Sequence, residues 1–168
     1  KEEFLKGFVQ KPIEEIEKRI EEAKTKRKSN KKVGVIIGKA LFEQISENLK
    51  QVKSILGKSN VRYVSIADKV ANEILQCSID FFNYCHENES EINYFEPAWK
   101  LAKSTEGIAI GKLTKDRIID SLNTLEEMKD KEISQAIEVL QSIKDAYEKN
   151  KSEINAKVMS MPLGYNQT

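Results

Sequence analysis

One histidine, one tryptophan, two cysteines, three prolines and seven glycines are spread over 168 residues. Each scarcity excludes something. So few glycines and prolines leave too little turn chemistry for a many-stranded β fold. A single histidine, His86, has no second Cys/His pair to complete a zinc site, although Cys85, Glu87 and Glu89 stand near it in sequence. A Ser–His or Cys–His arrangement would need His86 against a distant nucleophile that no motif marks. No apolar run approaches the ~18 residues of a membrane-crossing helix. Neither sign of charge dominates: 28 basic residues face 27 acidic ones, for a net charge of +1. That balance argues against a chain dominated by nucleic-acid or membrane attraction and leaves only local patches.

The two cysteines, Cys77 and Cys85, fall eight residues apart in one expected helix. At a rise of about 1.5 Å per residue they stand roughly 12 Å apart, beyond the ~7 Å limit for a bridge. They read as free thiols, which places the protein in a reducing, cytoplasmic setting. With no signal peptide at hand, the Asn-x-Ser/Thr triplets at Asn88, Asn150 and Asn166 read as incidental. The chain starts at Lys1 and reads as part of a longer or processed protein.

What is present is helical periodicity. Phe4, Leu5, Phe8 and Val9 fit a short opening helix, and Pro12 fits the first position of the next. That helix carries Ile13, Ile16, Ile20 and Ala23 at coiled-coil spacing, a seam that suits a homo-oligomer. Glu14/Lys18, Glu15/Arg19 and Glu22/Lys26 form i,i+4 pairs on its outer faces. A break is expected at Ser29-Asn30. The stripe Val33, Ile37, Leu41, Ile45, Leu49, Val52 and Ile55 then predicts a long helix closed by Gly57. Asn60 is the expected cap of a third helix with Tyr63, Ile66, Ala67, Val70, Ala71, Ile74, Leu75 and Ile79 inward, ending near His86 to Ser90. A segment from Pro97 to Ile108 follows. Thr114 is expected to cap a helix with Ile118, Leu122 and Leu125, and a separate last helix carries Ile133, Ala136, Ile137, Leu140, Ile143 and Tyr147. The expected fold is all-α, five to seven helices in an antiparallel bundle or stacked hairpins. It forms one domain over residues 1–158, with an extended or flexible tail over 159–168.

Two segments invite comparison with each other. VGVIIGKAL at 33–41 and EGIAIGKLT at 106–114 share Gly34, Gly38 and Lys39 with Gly107, Gly111 and Lys112. Duplicated hairpins over 33–86 and 106–151 are one reading; a shared helical period is the other. The same G-x-x-x-G-K pattern is not a phosphate loop. Three residues separate the glycines instead of four, and Ala40 and Leu113 stand where Ser or Thr would hold magnesium. Glycines four apart in a helix instead permit close approach of another helix.

Two candidate binding regions remain. The stretch KTKRKSNKK offers Lys24, Lys26, Arg27, Lys28, Lys31 and Lys32 to phosphate-rich partners, with no interleaved aromatics to stack on bases. Its simpler reading is a solvated helix end, where basic residues favour the C-terminus. The aromatics Phe82, Tyr84, Tyr94, Phe95 and Trp99 bracket the polar turn at Asn88 and form the candidate partner-binding patch if exposed together. Carboxylates such as Glu14, Glu15, Glu17, Glu21 and Glu22 are interleaved with Lys and Arg, and no pair is set apart in an apolar setting as a tuned acid or base requires. No catalytic residue, cofactor or metal is expected.

Ala98-Trp99-Lys100-Leu101-Ala102 and Ala136-Ile137-Glu138 resemble tetratricopeptide repeat helices. That family places two residues between Trp and Leu where this chain has one, and its 34-residue period is absent, so no binding residue carries over. The resemblance implies stacked helical hairpins and a protein-binding role. VANEILQCSIDFFN, from Val70 to Asn83, is similar to helical segments of uncharacterised bacterial proteins and implies nothing further. The expected function is a non-catalytic protein-interaction or scaffold domain; the alternatives are phosphate- or nucleic-acid-dependent binding through 24–32 and an enzyme of unrecognised type.

Overall fold

Helical periodicity becomes five α-helices in a computed structural model that describes residues 2–162: α1 (Glu2–Ser29), α2 (Gly34–Leu56), α3 (Val61–Glu87), α4 (Phe95–Ser104) and α5 (Lys112–Ser160). Short 3-10 turns at Lys31–Val33 and Thr105–Gly107 lead into α2 and follow α4. No strand occurs among the described residues, and none of the described helices is long and apolar enough to cross a membrane. The chain divides into two units, Lys1–Glu126 and Glu127–Thr168.

In the first unit α1, α2 and α3 pack on one another, and α4 closes over α2 and α3. The middle of each expected stripe is core, while Val33, Ile55 and Ile79 are only half-buried. Leu41, Ile45, Leu49 and Val52 of α2 are buried, as are Tyr63, Ile66, Ala67, Val70, Ala71, Ile74 and Leu75 of α3. The turns between helices follow their cap chemistry. Gly57 takes φ +85° and its N–H donates to Lys53 O, closing α2. Asn60 then opens α3 by accepting the N–H of Arg62 through Oδ1 at 2.9 Å.

Gly34 and Gly38 let α2 approach its neighbours. A methyl group on Gly34 would collide with the Cys77 carbonyl of α3, and one on Gly38 would stand 2.6 Å from Leu101 Cδ2 of α4. This is the close-approach role of glycine, with no phosphate in view.

Several expectations need correction. No separate opening helix exists: α1 runs through Pro12, which is buried. An interior proline costs a helix about 3 kcal/mol, and burial of Val9, Ile13 and Ile16 on either side offsets that. The seam Ile13, Ile16, Ile20 and Ala23 is buried in the chain's own core, so it is not a surface for a second copy. Thr114 does not cap a helix; it is a buried residue inside α5. The segment 106–151 contains no second hairpin, because residues 112–160 form one continuous helix. Residues 159 and 160 of the expected tail belong to that helix, and those beyond 162 lie outside the described residues.

Candidate functional site

The three chemically distinctive surfaces are a polar ladder on α3, the aromatic turn after it, and the distal part of α5. The ladder follows from spacing. Asp68, Asn72, Gln76 and Asp80 recur every four residues on α3, so they line one face. Each meets a group from another part of the first unit.

At the lower end Asp68 Oδ1 accepts the N–H groups of Ile110 at 2.8 Å and Gly111 at 3.1 Å. The carboxylate thus satisfies amides just before α5, where the helix dipole favours negative charge. Asn72 Nδ2 donates to Thr114 Oγ1 at 3.3 Å, while its Oδ1 accepts from Arg117 Nη1 at 2.6 Å. Arg117 Nη2 donates to Gln76 Oε1 at 2.6 Å, and Gln76 Nε2 to Asp80 Oδ1 at 2.8 Å. At the upper end Arg27 of α1 donates to Asp80 Oδ2 at 2.7 Å and to both oxygens of Glu73 at 2.7 and 3.2 Å.

Burial works against the charge of Arg27, but its bonds to Glu73 and Asp80 outweigh that and hold its pKa above the ordinary arginine value. The two arginines, Glu73 and Asp80 together carry no net charge. Beside them opens a cleft of about 470 Å³, walled by Glu17, Lys24, Lys69, Asn72, Gln76 and Arg117 among others. Lys69 stands 4.0 Å from Glu17 and Lys24 3.9 Å from Glu21, so the rim is balanced as well. Paired charges at its upper end, and backbone amides held by Asp68 at its lower end, mark this ladder as the device that fixes α1 and the start of α5 against α3.

This removes Arg27 from the anion-binding candidates: its guanidinium faces inward onto carboxylates. Of the others, Lys24 is half-buried, and Lys26, Lys28, Lys31 and Lys32 are exposed around the α1–α2 turn.

The aromatic candidates do not form one exposed patch. Phe82 is only 2% exposed, and the other four are half-buried. Phe82 stacks on His86 with centroids 5.9 Å apart and meets Tyr94 edge-on at 5.2 Å. His86 Nδ1 lies 3.0 Å from Tyr94 Oη, which ties the end of α3 to the start of α4. Trp99 Nε1 donates to Glu126 Oε1 at 3.1 Å, and Lys103 Nζ lies 5.9 Å above its ring. Ala98, Leu101 and Ala102 beside Trp99 are buried, whereas Ala136, Ile137 and Glu138 are exposed.

The distal part of α5 differs from everything else described. From Lys129 to Pro162 every residue is exposed. Yet Ile133, Leu140, Tyr147 and Ile154 recur at intervals of seven, continued by Met161 just beyond the helix, and are 48–68% exposed. Ile143, 60% exposed, falls between two of them at the spacing of a coiled-coil d position. The helical spacing expected for Ile133, Leu140, Ile143 and Tyr147 is present, and the side chains that carry it are exposed.

No protein-family model matches the chain, and no curated protein or solved structure matches it either.

Proposed function

We propose that this chain is a non-catalytic helical interaction domain that offers the distal face of α5 to a partner helix. The supporting observation is the exposed seven-residue repeat Ile133, Leu140, Tyr147, Ile154. Isolated helices are marginal in water, and most helical stability comes from burying an apolar face. A solvated helix has no need of large apolar residues in register. A coiled-coil partner does, because each a or d side chain inserts between four residues of the facing helix.

The test is a photo-crosslinking amino acid placed at Tyr147 and, separately, at Ser152 on the opposite face, in the chain expressed in cells. The expected result is a discrete adduct from position 147 and none from 152. Equal labelling at both positions, or none at either, rejects the proposal.

A further inference from the structure

Resting on that reading, we infer that the partner of the distal α5 face is a second copy of this chain, paired parallel and in register. The argument starts with Asn150. Taking Ile133, Leu140, Tyr147 and Ile154 as a positions, the d positions are Ala136, Ile143, Asn150 and Lys157. A polar residue inside a seam must find a polar partner at its own level or be left unsatisfied. In an antiparallel pair a faces d, so Asn150 meets a large apolar residue in every alignment of the repeat. In a parallel pair d faces d. Only the in-register alignment then sets Asn150 against Asn150, where each amide has both a donor and an acceptor for the other. A slip by one heptad sets it against Ile143 or Lys157. A buried Asn is a known means of fixing register and strand number.

Charge fits the same arrangement. Across a parallel pair the flanking contacts are Val139 with Lys144 and Ala146 with Lys151, and the next joins Glu153 to Val158. None sets like charges together. The Lys157 pair falls in the last turn of α5, where long stems carry the ammonium groups outward and the helix C-terminus favours cations.

The area suffices as well. Large apolar side chains each offer roughly 60–120 Å² when fully transferred from water. The exposed ones on this face therefore present on the order of 500 Å² per chain, so a pair buries about 1,000 Å², the size at which specific interfaces begin.

Two measurements on the full chain test this. Sedimentation at micromolar to hundred-micromolar concentrations is expected to show a dimer, and Leu140→Asp is expected to return it to monomer with helicity of the first unit retained. Asn150→Cys is then expected to form a disulfide-linked dimer on mild oxidation, because in-register d positions face each other; the native Cys77 and Cys85 are buried and do not compete. A Ser152→Cys control on the opposite face should stay uncrosslinked. A monomer at all concentrations overturns the inference, as does a dimer that crosslinks no better through position 150 than through 152. A monomer whose position 147 still crosslinks a different protein overturns the self-pairing while leaving the interaction reading intact.

Discussion

Arg27 and Glu73, 46 positions apart in sequence, meet through two charge-assisted hydrogen bonds of 2.7 and 3.2 Å, with the side chains 8% and 9% exposed. This contact, with Asp80 on the third side, decides how α1 lies on α3. Removing one member of a buried ion cluster strands the others, which typically costs 3–5 kcal/mol, about as much as a large core truncation. Arg27→Met is therefore expected to lower the unfolding free energy by about that amount in a urea titration. Lys28→Met, one residue along and exposed, should change it by less than about 0.5 kcal/mol. Replacing Arg27, Glu73 and Asp80 together by Met and Leu should restore most of the loss, since a packed apolar set needs no counter-charge. A single variant as stable as the parent would show that the cluster contributes nothing to stability.

The helix stripes were legible because burial on one face of a helix imposes a 3.6-residue period, and Leu41, Ile45, Leu49 and Val52 obey it. The burial of Arg27 was not, because its acceptors lie 46 and 53 positions away. Locally it looks like every other cation of KTKRKSNKK. The ladder Asp68, Asn72, Gln76, Asp80 did leave a signal: polar residues at strict i+4 spacing flank the apolar stripe of α3. The continuity of α5 left one too. Between Leu125 and Ile133 there is charge but no Gly or Pro, and Asp130 alone offers a cap, so no stop signal ends a helix there. Exposure of Ile133, Leu140 and Tyr147 has no local signature. The same period writes a core face and an interface face, and only the placement of neighbouring helices separates them.

Gly34 and Gly107 occupy matching places in the two G-x-x-x-G-K segments but opposite surroundings. A methyl group at Gly34 meets the Cys77 carbonyl, which is backbone and does not rotate away, whereas one at Gly107 meets nothing within 4 Å. Overpacking of this kind costs about 1–3 kcal/mol, more than the helical gain of about 1 kcal/mol from replacing glycine by alanine. Gly34→Ala is expected to destabilise by about 1–2 kcal/mol net. Gly107→Ala should be neutral within about 0.5 kcal/mol. Equal effects would mean that α2 and α3 separate freely at this crossing.

Cys77 gives the pH dependence. Burial, aided by the negative charge of Glu73, pushes its thiol from the ordinary 9.0 up to about 12. The native state holds this proton more tightly than the unfolded chain does. Stability from the buried neutral thiol is therefore fully present below pH 9.0 and is lost as pH rises toward 12. Lysines titrate in the same range, so the comparison is with Cys77→Ala: the parent should lose stability more steeply than the variant between these limits. At pH 8 the folded protein should leave a thiol-reactive dye unconsumed at Cys77, and urea should expose it. Rapid labelling of Cys77 without denaturant would contradict its burial against α2.

Asp68 controls where α5 begins. Its carboxylate accepts the N–H groups of Ile110 and Gly111 and sits where a side chain on Gly111 would have to go. Loss of a side-chain cap costs about 0.5–2 kcal/mol, and loss of a negative charge at a helix start adds a few tenths to 1 kcal/mol. Asp68→Ala is expected to destabilise by about 1–2 kcal/mol, and Asp68→Asn, which keeps an acceptor but not the charge, by less. The effect should be local. Hydrogen exchange at the amides of Ile110 and Gly111 should accelerate well beyond that at the core of α3, because those two N–H groups lose their acceptor. If exchange rises uniformly across the first unit, Asp68 acts on global packing and the cap is not what positions α5. If it rises only there, the start of α5 is set by a residue of α3, and Gly111→Ala, which crowds the same carboxylate, should reproduce the pattern.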